Sequence, residues 1–352
     1  MKTRTTRQLS AILTIILLTG CAEQGPGPHR FEKDLEDGAM VVVNHGAPRF
    51  EGDLFRFEQR VMLIQDTEVP ASLLYPGPTR PWDEKGFLMD EEGSFYVQDR
   101  GNDRIAVFDP AGRYERSIGR SGDGPGEFAF PHLTGINDGM LEIYDEALHR
   151  IIFYQIDGTF SGSVPSPVGG GGADIPFTSY PSMAFASGRG IYLTTGMDPV
   201  LFHHRHDGLL IRKITLDLPV RRVTRSDRLR YMADLEHQIA DAEGDDLDLL
   251  MAMRETLIFR PAGSHWRAIT IDDSGFIWLE VPEWDEALNG EGDGCLFQIL
   301  SPEGEFLGST RAPASGRIMN GYLLGVVRDR QTGREDYVAW RLNPRAAGFV
   351  YP

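Results

Sequence analysis

The sequence predicts an all-β fold made of repeated four-stranded antiparallel sheets, with one helical insertion. Three observations support this prediction. Residues 86–131 contain four short strand-like segments separated by turn residues, the same pattern recurs 46 positions later, and residues 220–260 show apolar residues at helical spacing. A repeat of about 40–50 residues with strand patterning is typical of proteins built from stacked sheet modules.

Residues 86–131 have the chemistry of a four-stranded meander. The four segments are rich in aromatic and β-branched residues, which suit pleated strands. They are residues 87–89, 95–97, 104–108 and 114–118. The first is a short apolar run and the last alternates polar with apolar residues. We therefore expect the first strand to lie on the inside of the fold and the fourth on the outside.

The next unit repeats this pattern without a gap. Residues 141–158 align with residues 95–112, and every matched residue lies 46 positions after its counterpart. The matched pairs are Asp99 with Asp145, Arg104 with Arg150, Ile105 with Ile151, Phe108 with Tyr154 and Gly112 with Gly158.

Later parts of the chain extend the series with more drift. Three further units begin near residues 190, 271 and 322, and the last of them lacks an outer strand. Residues 50–76 hold a weaker strand pattern that could supply a degenerate unit. Five clear units and one weak unit predict a six-bladed β-propeller with four-stranded antiparallel blades.

The first blade resembles the NHL-repeat pattern. The residues that carry this resemblance are Asp99, Asn102, Arg104, Ile105, Phe108, Asp109, Gly112 and the run Gly124-Pro125-Gly126-Glu127-Phe128. The NHL-repeat family forms β-propellers, most often with six blades. The resemblance therefore implies the same architecture for the propeller domain, which we place at residues 39–352.

A propeller needs a strand that closes its ring. Residues 40–44 (Met-Val-Val-Val-Asn) form an apolar strand with no obvious hairpin partner nearby. We expect this strand to complete the last blade, because an open ring would leave an exposed sheet edge.

The helical insertion at residues 220–260 interrupts the repeat. Thr224 and Asp227 match a capping box at the start of a helix. Leu229, Leu235 and other apolar residues then recur at helical spacing, and Asp246 is predicted to cap a second helix. We expect the pair to lie at the rim of the propeller, over the mouth of its central channel.

The N-terminus reads as a targeting segment. Residues 1–20 have a basic start and a short apolar run, too short for the ~20 residues of a membrane-spanning helix, and predict a signal peptide. Leu18-Thr19-Gly20-Cys21 resembles the bacterial lipobox, in which the cysteine is lipidated. A signal peptide without lipidation is the alternative. The resemblance implies a lipoprotein with its lipid (palmitate) at Cys21, and Ala22 in the next position implies the outer membrane, facing the periplasm.

Residues 21–38 are polar and are predicted to be a tether between the lipid and the domain. The net charge of −17 becomes −20 once the three basic residues of the signal peptide are removed. So acidic a surface repels nucleic acid, which we exclude as a partner. The expected partners are the membrane, through Cys21, and an unidentified protein, peptide or glycan.

Several residues invite a chemical interpretation. Cys295 opens an apolar run and is predicted to be a small core residue, without the partners that a catalytic thiol needs. His203 and His204 are predicted to point to opposite faces of a strand, so they would not chelate a metal together. Zinc would need three or four convergent ligands.

Two loops carry residue types that are common in ligand sites. The acidic residues between 280 and 293 lack the order of ligands of a known calcium loop. Residues 122–127 resemble a phosphate-binding glycine loop, but Glu127 stands at the last required glycine and no helix follows. Both are predicted to be ordinary loops. The sequence therefore assigns no catalytic, cofactor-binding or metal-binding residue.

The function expected from these features is that of a lipid-anchored binding or scaffold module of the cell envelope. A rigid ring that gathers its loops at one end suits recognition. The alternative is a metal-dependent hydrolase or lyase with its site at the central channel. An assembly factor in an envelope complex is a third possibility, because fold alone does not assign an activity.

Overall fold

The structure is a computed structural model, and it describes most of the chain from residue 27 onward. The described residues are 27–63, 86–137, 139–145, 147–165, 182–186, 189–194, 196–205, 209–257, 259–282, 294–328 and 335–352. The predicted signal peptide and Cys21 lie outside them. In the part of the chain that is described, no helix is both long enough and apolar enough to cross a membrane.

The described strands form five sheets, and each contains four antiparallel strands in meander order. We call these sheets blades 1 to 5. Blade 1 consists of β4 (Phe87–Met89), β5 (Phe95–Asp99), β6 (Arg104–Phe108) and β7 (Tyr114–Ile118). Blade 2 consists of β8 (Pro131–Asn137), β9 (Met140–Asp145), β10 (Arg150–Gln155) and β11 (Phe160–Pro165).

Blade 3 consists of β12 (Ser182–Ala186), β13 (Gly190–Thr194), β14 (Val200–His204) and β15 (Leu210–Leu216). Blade 4 consists of β16 (Ala268–Ile271), β17 (Ile277–Val281), β18 (Cys295–Leu300) and β19 (Phe306–Ala312). Blade 5 consists of β20 (Gly316–Met319), β21 (Tyr322–Arg328), β22 (Glu335–Pro344) and β3 (Phe55–Met62). Two further N-terminal strands, β1 (Arg30–Glu36) and β2 (Ala39–His45), extend blade 3. The predicted all-β propeller of four-stranded blades is confirmed.

The 46-residue repeat is confirmed in backbone detail. The turn between the second and third strands holds a positive φ of 47° at Asp103 and again at His149, its counterpart. The Asp–Arg pair spans this turn in both blades. Nε of Arg104 lies 2.6 Å from Oδ2 of Asp99, and Nη2 of Arg150 lies 3.9 Å from Oδ2 of Asp145.

Blades 1 and 4 share a second repeated device at the turn after the innermost strand. Asp90 accepts a hydrogen bond from the Tyr96 hydroxyl at 2.8 Å and another from the amide four residues later. Asp272 likewise accepts from the Trp278 indole at 2.9 Å and from the amide four residues later. The carboxylate closes the turn and satisfies an aromatic side chain that would otherwise be buried with an unpaired donor.

Apolar clusters pack between neighbouring blades. They join blade 5 to blade 1 around Phe87, blade 1 to blade 2 around Tyr96, blade 3 to blade 4 around Trp266, and blade 4 to blade 5 around Trp278. All four of these aromatic side chains are almost fully buried. Residues 166–181, which connect blades 2 and 3, lie outside the described residues.

The prediction that residues 40–44 complete the last blade is wrong. The missing outer strand of blade 5 is β3, whose register against β22 pairs Phe57 with Leu342 and Gln59 with Trp340. The outer strand of a blade is half exposed and alternates in polarity, as β3 does. Residues 55–62 were expected to belong to a weak separate unit, and this prediction is also wrong.

Strand β2 instead runs parallel to β15 along the outer edge of blade 3. Val42 is fully buried in the cluster between blades 3 and 4. The apolar character of residues 40–44 therefore reflects burial against a neighbouring blade rather than closure of the ring.

The predicted tether at residues 21–38 contains the strand β1. Strand β1 pairs with β2 in an antiparallel hairpin. Its two-residue turn is Asp37-Gly38, with φ of 49° and 85°. Positive φ at both turn residues is the requirement of a tight hairpin, and Asp-Gly is a favoured pair for it. The polar composition of β1 reflects an edge strand in solvent.

Between β2 and β3 the chain crosses the outside of blade 4. The amides of Arg49, Phe50 and Leu54 donate to the carbonyls of Phe306, Leu307 and Ser309 at 2.8–3.1 Å. Residues 39–62, which we call the N-terminal belt, therefore link the outer edges of blades 3, 4 and 5.

The helical insertion is confirmed as α1 (Arg225–Asp241) and α2 (Asp245–Thr256). Thr224 and Asp227 form the predicted capping box. The prediction that Asp246 caps the second helix is wrong. Helix α2 begins at Asp245, so its N-cap is Gly244, two positions before Asp246, and makes no side-chain hydrogen bond.

We predict that Asn44→Ala destabilises the protein by about 2 kcal/mol. The Asn44 side chain is buried, donates to the Gly304 carbonyl at 2.9 Å and accepts from the Phe306 amide at 2.7 Å. Alanine would leave both backbone groups unpaired. Urea unfolding measures the change, with the half-exposed Asn343→Ala as the control. Equal stability of the two variants would contradict this role of the belt.

Candidate functional site

The candidate functional site is the face of the ring that we call the loop face. It is formed by residues 100–103, 119–130, 147–149, 196–199, 217–257, 259–267 and 313–315. In a meander, the loops between the second and third strands emerge at the same end as the links to the next blade. This end therefore collects the longest connections and the helical insertion.

The motif that resembles the NHL repeat holds the loop of blade 1 in shape. The Asp99 side chain is fully buried, and its two oxygens accept from the Asn102 amide group at 3.0 and 2.9 Å. Arg104 completes the set at 2.6 Å from Asp99. Asn102 and Arg104 both bond to the Asp99 carboxylate, so the motif fixes the loop.

The glycine-rich link between blades 1 and 2 is a closed turn, as predicted. Glu127 accepts from the Gly124 amide at 2.9 Å and from Nε of Arg120 at 2.9 Å. These two contacts lower the pKa of the Glu127 carboxyl. Arg150 donates to the Gly124 and Glu127 carbonyls at 3.1 and 2.9 Å. Glu127 thus occupies the position that a phosphate would take at the Gly124 amide.

Backbone hydrogen bonds hold together the two ends of the helical insertion, which we call its base. The Val223 amide donates to the Pro261 carbonyl at 3.0 Å, and the Gly263 amide donates to the Arg221 carbonyl at 2.8 Å. Arg221 also donates to the Pro282 carbonyl at 2.5 Å, at the end of the second strand of blade 4. The two ends of the insertion are therefore paired as short antiparallel segments on the propeller.

Beyond this base, helix α1 buries little apolar surface. Leu235 is the single buried residue of the 17 in α1. Leu229 is 60% exposed, and Val220 just before the helix is 66% exposed. Tyr231 packs edge-on against Phe259 with ring centroids 5.8 Å apart. The apolar stripe of α1 that the sequence shows is thus only partly used within the chain.

Beneath the insertion, a compact layer joins blade 3 to blade 4. The His265 amide donates to the Gly196 carbonyl at 2.5 Å. Burial and the nearby positive Arg221 lower the pKa of His265, and Asp198 opposes this shift. Trp266 is fully buried and donates its indole N–H to Gln298 at 2.6 Å. This layer supports the insertion from below.

A buried carboxylate lies near the innermost strands of blades 4 and 5. Glu280 accepts from Arg267 through one oxygen and from the Ser315 hydroxyl at 2.8 Å through the other. Burial opposes the charge of Arg267, but Glu280 and Cys295 outweigh it and raise the pKa of the guanidinium. Cys295 is half-buried and packs against the hydrophobic core between blades 4 and 5, close to its predicted place in the core, and it also contacts Arg267.

The two strand histidines lie where the sequence places them. His203 is buried, stacks on Tyr192 with centroids 3.9 Å apart and bonds the Arg189 carbonyl through Nε2 at 2.7 Å. His204 is half-exposed on the opposite face. They do not converge.

Other predicted site residues fall partly or wholly outside the described residues. Of the acidic loop, Glu280 is described and residues 283–293 are not. Within the described ranges, no group of three or more His, Cys, Asp or Glu side chains is arranged to hold a metal ion. Cys21 is not described.

The sequence analysis missed the Arg267–Glu280–Ser315 set. Glu280 directly follows the apolar residues Ile-Trp-Leu of β17. A charged side chain buried in such a strand needs a partner. Its partners lie 13 and 35 positions away, in the links just before β16 and β20. The isolated charge was visible in the sequence, but its partners were not.

We predict that the stability of the protein falls as the pH drops below about 6.5, in part because of His203. Burial lowers the pKa of His203 below its ordinary value of 6.5. The folded state then binds fewer protons than the unfolded state, so acid favours unfolding. Thermal melts between pH 7.5 and 5.5 should show a smaller loss in His203→Gln than in the wild type. His237→Gln on the exposed surface of α1 is the control, and an unchanged slope in His203→Gln would contradict the prediction.

Comparison with known proteins agrees with the fold. Residues 87–168, which cover blades 1 and 2, match the model of the family DUF5128, described as a 6-bladed β-propeller. The predicted resemblance to six-bladed propellers is thereby confirmed over these blades. A search of curated proteins found no match.

Several solved structures are similar over most of the chain at low identity. A Bacteroides fragilis protein described as exported is 8% identical, with 87% of this chain and 99% of that chain covered and a TM-score of 0.48. A member of the DUF4221 family from Bacteroides vulgatus is 11% identical, with 90% and 99% covered and a TM-score of 0.37. Virginiamycin B lyase from Staphylococcus aureus is 14% identical, with 73% and 79% covered and a TM-score of 0.30. At these values none of them indicates a ligand or a reaction for this chain. The protein is an all-β propeller whose first two blades match a six-bladed propeller family.

Proposed function

We propose that this protein is a lipid-anchored binding or scaffold module of the cell envelope, and that it recognises a protein or peptide through the helical insertion on its loop face. The observation that carries this proposal is that α1 buries one residue of 17 while the two ends of the insertion are fixed on the propeller.

A surface helix of a globular protein ordinarily turns its apolar stripe toward a core. In α1 the stripe is left partly in solvent, and Leu229 at 60% exposure is its most accessible member. A helix whose insertion is fixed at its base loses little conformational freedom on binding, and this favours affinity. A partner with a complementary apolar groove or helix would complete the burial of the stripe.

The loops beside the insertion support a protein or peptide partner rather than an anion. The Gly124 amide is already occupied by Glu127, and Asp99 is occupied by Arg104 and Asn102. The net charge of −17 also disfavours acidic ligands. Recognition through apolar side chains fits these surroundings.

The proposed location in the cell envelope comes from the sequence. The signal-peptide pattern of residues 1–20 and the lipobox at Leu18–Cys21 support lipidation at Cys21 and a place on the outer membrane, facing the periplasm. A lipid-anchored module of this kind would present its loop face to other envelope components.

We predict that Leu229→Asp weakens partner binding at least tenfold without loss of stability. The side chain is mostly exposed, so substitution should change the free energy of unfolding by no more than about 0.5 kcal/mol. A photo-crosslinking residue at position 229 should give a discrete adduct in cells, and the adducted partner can be purified for the affinity measurement. The matched control is the same residue at His237, which is exposed on another part of α1. Adducts of equal yield from both positions, or from neither, would contradict the proposal.

We predict that Cys21→Ala moves the protein from the membrane fraction to the soluble fraction. Removing the thiol removes the site of lipid attachment, and the rest of the mature chain carries a repulsive acidic charge. Fractionation of cells that express each form measures the change. Cys295→Ala, the other cysteine, is the control and should stay with the membrane. Retention of Cys21→Ala in the membrane would contradict lipid anchoring.

The alternative function, a metal-dependent hydrolase or lyase at the central channel, has a separate test. Purified protein is dialysed and its metal content is measured. Stoichiometric Ca²⁺ or Zn²⁺ that is lost in Glu280→Gln would favour the enzyme over the binding module.

A further inference from the structure

The part of the chain that the structure describes begins at Gly27, six positions after Cys21. The Gly27 carbonyl accepts from the Ala47 amide at 2.7 Å. Two residues later, the His29 ring bonds the Ala47 carbonyl at 3.1 Å and Glu305 at 3.1 Å. Arg49 pairs with the other oxygen of Glu305 at 3.0 Å. The chain therefore enters the folded domain at one defined place.

That place lies on the outer circumference of the ring. The innermost strand of blade 3 is β12, and the sheet order outward is β13, β14, β15, β2 and β1. Strands β1 and β2 are thus farther from the axis than the four strands of the blade itself. Glu305 belongs to the turn before the outermost strand of blade 4. Gly27 is consequently held at the outer edge between blades 3 and 4.

The distance from this edge to a lipid on Cys21 is limited by the length of the chain. Six residues span at most about 20 Å when fully extended. The lipid chains lie in the bilayer, so this edge would stay within about that distance of the membrane surface. An anchor attached at the outer edge brings that edge of the ring closest to the membrane. An anchor attached at a face would instead place all blades at the same distance from the membrane.

We propose that the anchored propeller stands edge-on at the membrane, with the outer edge of blades 3 and 4 toward the lipid and blade 1 farthest from it. This inference rests on the lipid anchor of the proposed function. Blade 1 packs between blades 5 and 2, so it lies away from both blades 3 and 4. In this orientation the loop face and its insertion look sideways along the membrane, open to partners anchored in the same leaflet.

Equivalent turns in blades 1 and 4 provide matched positions for a test. Glu303 and Ala111 both lie exposed in the turn between the third and fourth strands. The two turns share a backbone geometry, with hydrogen bonds from Ser301 to Glu305 and from Asp109 to Arg113. A dye attached at either position therefore has similar local surroundings and differs in its place around the ring.

The experiment uses the full lipidated chain with Cys295→Ser, carrying Glu303→Cys or Ala111→Cys labelled with a donor dye. The protein is reconstituted in phosphatidylethanolamine–phosphatidylglycerol vesicles that contain a headgroup-labelled acceptor lipid. We expect energy transfer from position 303 to be at least twofold more efficient than from position 111. Thermal melting checks that both variants are folded, and Cys295→Ala serves as the background if Cys295→Ser is unstable.

The outcomes separate the orientation from the anchor. Vesicle flotation, compared with Cys21→Ala, reports lipid attachment independently of energy transfer. If the protein floats and the two positions transfer equally, the propeller lies flat and the edge-on orientation is wrong. If position 111 transfers more than position 303, the opposite edge faces the membrane and the inference is again overturned. If the protein does not float, the anchor itself is absent, and the orientation is overturned with it.

Discussion

The architecture depends on Phe55, at the start of the strand that closes blade 5. Its ring stacks on Trp278 of blade 4 with centroids 5.0 Å apart, and it meets the C-terminal rings of Phe349 and Tyr351 at 5.2 and 4.9 Å. One side chain from near the N-terminus thus contacts two blades and the C-terminal tail. Aromatic pairs in such arrangements add to the free energy of apolar burial. The two ends of the chain are held together at this point.

The N-terminal belt extends the same constraint around the ring. Its backbone pairs with β15, then with β19 and finally with β22, so it links three successive blades. Loss of any one of these contacts would loosen strands from different blades. Because Gly27 is bonded to Ala47 within this belt, the element that stabilises the fold also determines how an anchor would be attached to it.

The sequence predicted those parts of the fold that depend on neighbouring residues. Asp99 and Arg104 are five positions apart, so their turn and its repeat at Asp145 and Arg150 are local patterns. The capping box of α1 spans three positions and was also predictable. Closure of the ring was not, because β3 and β22 are about 280 residues apart. Two segments were candidates for the missing outer strand of the last blade, residues 40–44 and the segment that forms β3. The local pattern favoured residues 40–44, because they are more apolar.

The candidate site shows the same division between local and distant information. Helical spacing identified the insertion, but burial of its apolar stripe depends on which elements pack against it. The sequence could not show that Leu235 would be buried while Leu229, six positions earlier, would be exposed. Likewise, the charge of Glu280 was visible in the sequence, whereas its contact with Ser315 depends on the seam between two blades.

The distribution of satisfied polar groups on the loop face determines where binding energy can come from. Around blades 1 and 2 the loops are closed by their own side chains, as Glu127 and Asp99 show. A ligand that bound there would have to replace existing hydrogen bonds and would gain little net free energy. The Leu229 side chain of α1 is 60% exposed, so over most of its surface a partner would displace water rather than an existing hydrogen bond. Burial of one Leu side chain contributes about 1.5–3 kcal/mol. The insertion is therefore the part of the loop face on which a partner gains most.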